Sequence, residues 1–223
     1  MQIKPEQFYQ GVRQQLAPLY LLTADQPLFL QEARSAISQA AKSQGIDERI
    51  RFDVDGRFDW QNLSDQRANL SLFASRRLID IRMNTLKPGR KGATALSAIA
   101  QGLDPQGDVL VFSLPRVDTK TQKSAWFKKL SEPALWVRFN SVGAAELPGW
   151  LQRRAADVGL SLTGPAAELI ATQVEGNLVA AAQEVEKLAL IHQHRDAPLD
   201  VDDVALSLIH ISEPTRQAEI SYA

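Results

Sequence analysis

Few residues of this 223-residue chain could do chemistry: three histidines, scattered carboxylate pairs and no cysteine. The missing cysteine excludes disulfides, thiolate nucleophiles and the usual structural zinc sites. His192 and His194 stand two apart, which on a helix turns them to different sides rather than onto one metal. Two solvated imidazoles at a helix end account for them. Asp202-Asp203 reads as negative charge at a helix N-terminus, and Asp53 with Asp55 as a strand end. No serine, histidine and acid form a nucleophile motif. No residue stands out as catalytic or as a metal ligand, and no cofactor is expected.

Phosphate handling is missing where it would be expected. The first strand-like run, Pro18–Thr23, is followed by Ala24-Asp25-Gln26-Pro27-Leu28-Phe29. A phosphate loop needs glycines for close backbone approach and a lysine for charge; this turn has neither, and Asp25 would repel a phosphate. After Val109-Leu110-Val111-Phe112 stand Ser113 and Leu114, not the acidic residues that hold Mg²⁺.

The elements that must position these residues alternate. A helix is expected over Leu28–Gln44, with Leu30, Ala33, Ile37 and Ala41 on one face and Gly45 ending it. Further strands are expected at Arg49–Val54, Arg77–Met83, Asp108–Leu114 and Trp136–Phe139. Helices are expected from Asp59 to about Asn69, over Ala93–Leu103 and over Thr121–Leu130. Nearly continuous apolar strands separated by helices predict an α/β fold with a mainly parallel sheet covered on both faces. From Val142 the pattern becomes helical only: Glu146–Val158, Pro165–Val174 and Leu178–His192. An α/β domain (1–141) followed by a small three-helix domain (142–205) resembles an AAA+ module, a P-loop NTPase fold with a helical lid, here with a degenerate loop.

Three motifs make the resemblance specific. Leu70-Ser71-Leu72-Phe73-Ala74-Ser75-Arg76-Arg77 resembles the Ser-Leu-Phe-Ala/Gly-X-Arg-Arg motif of bacterial DNA polymerase III delta subunits. Glu175-Gly176-Asn177-Leu178, continued by Glu184 and Glu186-Lys187-Leu188, is similar to a pattern in that family's helical domain. Lys120-Thr121-Gln122-Lys123-Ser124-Ala125-Trp126-Phe127 resembles its segment after the fourth strand. Many members carry a glutamine where this chain has Ala68. The resemblance implies a clamp-loader subunit without catalysis of its own within the DNA polymerase III holoenzyme. Its partners would be the β sliding clamp, the gamma/tau and delta-prime subunits, and primed DNA through the assembled complex. It implies that Leu72 and Phe73 enter a hydrophobic pocket on the clamp, with Leu70 and Ser71 supporting. From local sequence alone these apolar residues could equally cap the core. Gly176 and Asn177 make sense as a helix stop and a helix cap.

Lys87, Arg90, Lys91, Lys120 and Lys123 are candidate DNA phosphate contacts, although a solvated surface explains them as simply. Lys128 and Lys129 share the later basic region.

The last 18 residues change character. Leu206–Arg216 and Ile220–Ala223 resemble the in-frame translation of a transposon-type sequencing adapter. Residues 206–223 are therefore expected to be non-native, to add at most a last helical turn after Asp203, and to replace the family's C-terminal collar domain. Without Glu213, Arg216 and Glu219 the basic and acidic residues balance, so no global field gathers nucleic acid. No apolar run suits a membrane span and the start is unlike a signal peptide, which predicts a cytoplasmic protein. The rival readings are a degenerate P-loop-type ATPase, which the Asp25-Gln26-Pro27 turn opposes, and a free-standing DNA-binding module, which the charge balance opposes.

Overall fold

A computed structural model describes residues 1–69, 76–193 and 197–209. The chain divides into two compact units, Met1–Ser141 and Val142–Ala223.

The first unit is a six-stranded, wholly parallel sheet in the order β1-β6-β2-β5-β4-β3. Its strands are β1 (Gln2–Ile3), β2 (Leu19–Ala24), β3 (Arg49–Val54), β4 (Leu78–Met83), β5 (Val109–Pro115) and β6 (Leu135–Arg138). The central pair, β2 and β5, is almost entirely buried, as expected of parallel strands covered on both faces. Alternation sorts the side chains. Leu19, Leu21, Ile79, Ile81, Leu110 and Phe112 enter one core with Trp60, Leu63, Leu96 and Phe127. Tyr20, Leu22, Leu78, Val109 and Val111 enter the other with Phe8, Ile37 and Phe139.

Helices α1 (Pro5–Gln14) and α2 (Pro27–Ser43) cover the second face. The first is covered by α3 (Trp60–Asn69), α4 (Gly89–Gln101) and α6 (Ala125–Ser131), with α5 (Thr119–Gln122) leading into α6. Gly45 ends α2 in the left-handed conformation, φ 77°.

Three differences from the sequence expectation have local causes. β1 and α1 were not foreseen, since a two-residue strand has no period to read. Yet Met1 is tied in by its ammonium group, which donates to the Ala134 carbonyl at 2.7 Å. The helix expected over Thr121–Leu130 is two helices. Asp118 caps α5 by accepting from Thr121 N–H at 2.7 Å, and Ser124 is extended (φ −66°, ψ 148°), so α6 starts afresh and turns Trp126 and Phe127 inward. α4 begins at Gly89, not at Ala93.

The second unit packs α7 (Leu147–Asp157), α8 (Gly164–Gln173), α9 (Leu178–Ile191) and α10 (Val201–Ile209). Leu151, Ile170, Val185, Leu188, Leu199 and Val204 form its buried interior. Gly176 is left-handed at φ 81°, and Asn177 Oδ1 accepts from Val179 and Ala180 N–H, each at 3.1 Å. These are the stop and cap that the Glu-Gly-Asn-Leu motif encodes.

The fourth helix goes beyond the three-helix domain expected here, with its N-terminus at the Asp202-Asp203 pair read as one. Asp200 starts it by accepting from Asp202 and Asp203 N–H at 3.1 and 3.2 Å, and a nucleated helix propagates at one hydrogen bond per residue. It runs through Ile209, past the boundary placed at Ala205. Ser207 is buried, and its hydroxyl donates to Glu184 Oε1 at 2.8 Å. Part of the adapter-like segment thus packs as structure.

Candidate functional site

The expected clamp-binding residues Leu70, Ser71, Leu72 and Phe73 lie outside the described residues; the structure describes what holds the two ends of their segment. On the entering side, Asp59 Oδ1 accepts from Gln61 N–H at 3.0 Å and starts α3. Trp60 and Leu63 are buried and pin its first turns to the core. The contact is close: a Cβ on Gly92 of α4 would stand 2.6 Å from the Trp60 ring, so only glycine fits there.

On the leaving side, both arginines of the motif are fastened. Arg76 Nε donates to the Gly107 carbonyl at 2.8 Å, and its Nη2 to Pro105 at 3.4 Å. Arg77 makes a two-pronged pair with Asp108, Nε to Oδ1 at 3.0 Å and Nη2 to Oδ2 at 2.7 Å. Its backbone N–H also donates to Oδ1 at 3.1 Å. The Arg77 side chain is 3% exposed and that of Asp108 15%. Charge-assisted paired bonds of this kind are strong and directional. α3 starts beyond the carboxyl end of β3, where Trp60 meets Gly92, and returns the chain towards the amino edge, where β4 starts and Arg76 and Arg77 are anchored.

The carboxyl edge holds the other expectations. From neighbouring strands β2 and β5 the chain leaves in opposite directions, towards β3 and towards β6. That switch point is where open α/β sheets bind ligands. Here Asp25, after β2, accepts on Oδ2 from Arg116 Nη1, after β5, at 3.1 Å, and also from the Ser141 hydroxyl. An ion pair occupies the turn that a phosphate loop would form. Ser113 of β5 is buried, with a hydroxyl that meets no hydrogen-bond partner among the described residues. Lys87, Arg90 and Lys91 follow β4, and Lys120 and Lys123 follow its neighbour β5. All five are exposed, so the candidate phosphate contacts share this edge.

One cluster was not foreseen. Asp80 of β4 is 1% exposed, and its Oδ2 accepts from Arg49 Nη2 at 2.7 Å and from Arg82 Nη2 and Nε at 2.9 and 3.1 Å. Arg34 of α2 stands 4.0 Å away. Arg51 pairs with Asp53 beside them at 2.8 Å. Burial, then the neighbouring Arg82, holds the Arg34 guanidinium below its usual pKa. The signal in the sequence was an aspartate inside an apolar strand, but its partners depend on the β3–β4 register.

His192 closes α9 and His194 lies outside the described residues. Among the described residues no group of three or more His, Cys, Asp or Glu could hold a metal ion, and no helix is long and apolar enough to cross a membrane.

Known proteins match this arrangement. Two relatives, each named "DNA polymerase III subunit delta", are similar along most of the chain. That of Escherichia coli K12 is 30% identical over 191 residues, covering 86% of this chain and 55% of the relative. That of Haemophilus influenzae is 27% identical over 195 residues, covering 85% and 56%. The chain thus spans about half the length of the curated relatives it matches. Among solved structures, the Bacillus subtilis DNA clamp loader delta protein superposes with a TM-score of 0.67 at 20% identity, covering 90% of this chain and 61% of that one. The Thermotoga maritima RuvB Holliday junction branch migration motor superposes at 0.54 with 15% identity, covering 92% and 69%. These likenesses show an AAA+-type fold. The family described as "DNA polymerase III, delta subunit" matches residues 20–140, more than half of the chain, and the chain belongs to that family.

Proposed function

We propose that these two units are the clamp-handling part of a clamp-loader delta subunit, which binds the β sliding clamp and opens it without using ATP itself. The observation that carries the reading is the family's Leu-Phe motif on a segment that follows a helix pinned by Trp60 and Leu63 and is fastened after it by Arg76 and Arg77. A wedge needs such fixed ends: otherwise the binding energy goes into ordering the loop. Opening a closed ring requires no covalent chemistry. A protein that binds the opened interface better than the closed one shifts the equilibrium by its differential affinity. Burying Leu72 and Phe73 contributes about 1.5–3 kcal/mol each. Fully expressed in the open state, that is about two to four decades in the equilibrium.

The Asp25–Arg116 pair supports the absence of a nucleotide role, because a phosphate would have to displace an ion pair and face a carboxylate. ATP-driven work then belongs to other subunits: gamma/tau, with delta-prime, joined through a C-terminal collar. Lys87, Arg90, Lys91, Lys120 and Lys123 supply supporting contacts to primed DNA inside the assembled cytoplasmic complex.

The test is binding to an immobilised sliding clamp. Leu72→Ala with Phe73→Ala weakens binding by about two decades or more while thermal unfolding stays unchanged. A folded double variant with wild-type affinity refutes the wedge. Early melting would instead mark both residues as core, at about 2–5 kcal/mol for each truncation.

A further inference from the structure

We propose that the arginine cluster on the β3–β4 face is a second docking surface for the same protein partner, one that meets an acidic patch beside the pocket for Leu72 and Phe73. The inference rests on the proposed function and deepens it.

Three elements converge on the cluster: Arg34 from α2, Arg49 and Arg51 from β3, and Arg82 from β4. Among the described residues the carboxylates paired with these four arginines are Asp80 and Asp53, so four positive charges meet two negative ones. The four cations are all arginine, whose planar fork suits carboxylates, and none is lysine.

Asp80 organises them. It holds Arg49 and Arg82 on one oxygen while its buried Oδ1 meets no donor among the described residues. A buried carboxylate with half its acceptor capacity unused is a poor stabiliser, and well-packed apolar side chains would serve the sheet as well or better. Its effect is to hold guanidinium groups in place at an exposed strand edge, since β3 ends the sheet.

Position selects the partner. Arg49 opens β3 and stands across from Leu78, one residue after the Arg77 that fastens the motif segment. The patch therefore starts at the edge where that segment is anchored. Nucleic acid is the weaker fit. Neutralising about two phosphates releases too few counterions to hold DNA on its own, and the lysine-bearing candidates lie at the opposite edge. Two extra charges beside an apolar wedge suit a steering role, in which rim charges set association rate and salt dependence.

The experiment measures association and dissociation of the chain on an immobilised sliding clamp across a salt series, with Arg49→Gln/Arg51→Gln and Arg49→Lys/Arg51→Lys. Arg82 still pairs with Asp80 in both, and thermal unfolding verifies the fold. The glutamine variant associates about tenfold more slowly at low salt with dissociation little changed. It converges on wild type near 1 M salt, where the screening length is about 3 Å. The lysine variant keeps the wild-type rate. A folded glutamine variant with the wild-type association rate and salt slope overturns the proposal. So does a loss confined to binding of primed DNA, measured by anisotropy, which would assign the cluster to phosphates. If the Leu72→Ala/Phe73→Ala variant binds normally while the arginine variants show the expected kinetics, the wedge falls and this surface stands. A chain that does not bind the clamp at all refutes both.

Discussion

Replacing Asp108 by alanine strands the Arg77 guanidinium inside the first unit. Three bonds go at once: the two side-chain bonds at 3.0 and 2.7 Å and the backbone bond at 3.1 Å. Arg77 is 3% exposed and its Nη1 already has no hydrogen-bond partner among the described residues, so water cannot replace the carboxylate without opening the packing. Breaking a buried pair from one side costs about 3–5 kcal/mol. For a domain of this size that lowers the midpoint by roughly 6–20 °C. Asp108→Asn keeps one acceptor and loses the charge, and costs about 1.5–3 kcal/mol. Removing both partners, Arg77→Met with Asp108→Leu, leaves no unpaired buried charge. It recovers most of the loss, but not about 1 kcal/mol for the Arg77 N–H, which still lacks its acceptor. Urea unfolding followed by tryptophan fluorescence reads this out, since Trp60, Trp126 and Trp136 all belong to the first unit. An Asp108→Ala protein within 1 kcal/mol of the parent, or a double variant less stable than either single one, would refute the assignment of this pair as a buried anchor.

Three further outcomes are expected. Calorimetric titration with ATP should show no micromolar binding, because Asp25 and Arg116 fill the turn; a micromolar site would return the chain to the ATPases. Ser207→Ala should destabilise the second unit by about 1–3 kcal/mol, since the buried Glu184 loses a donor and, among the described residues, keeps Lys187 at 2.9 Å; an unchanged midpoint would mean residues 206–209 add nothing. Burial raises the pKa of the Tyr20 phenol above its usual value, against the opposing effects of the Ala17 N–H and Arg76. The folded state then keeps its proton where the unfolded chain has lost it, so this stabilisation is complete below about pH 10 and is lost as pH rises through the folded pKa. Absorbance at alkaline pH should show Tyr20 ionising only with unfolding, whereas its ionisation in a folded protein would contradict the burial.

What the sequence disclosed follows the range over which each signal acts. β2 and β5 were legible because a strand buried on both faces is a run of apolar residues, whatever its neighbours. The Gly45 stop and the Asn177 cap were legible because such signals act within one turn of helix. The break at Ser124 was not: a serine that caps a new helix and one that continues an old one are spelled alike, and burial of Trp126 and Phe127 decides between them. The Asp80 cluster was invisible for a stronger reason. It needs the β3–β4 register, which sets Arg51 beside Asp80 and Asp53 beside Arg82, and a helix from another part of the chain. Arg76 and Arg77 were read as part of a motif, but their anchoring partners come about thirty residues later, in the turn before β5.

On the proposed function, an ATPase-type fold has lost its chemistry and kept a mechanical role, and the two edges of the sheet divide these between them. Parallel strands send every α/β turn, with its helix N-terminus, to the carboxyl edge, and that is where phosphates bind in such folds. There this chain carries Asp25-Gln26-Pro27 and an Asp25–Arg116 ion pair where a phosphate loop has glycine and lysine, which on the proposed function disfavours a phosphate at that end of β2. The amino edge is reached by different connections. The Arg77–Asp108 pair lies there, separated from Asp25 by the length of strands whose residues are nearly all buried. Packed interiors transmit little from a surface ion pair at one end to a buried ion pair at the other unless an element between them has two arrangements. The two edges can therefore diverge independently: the Arg76 and Arg77 anchors after the motif segment stand at one edge, and the Asp25–Arg116 ion pair at the other.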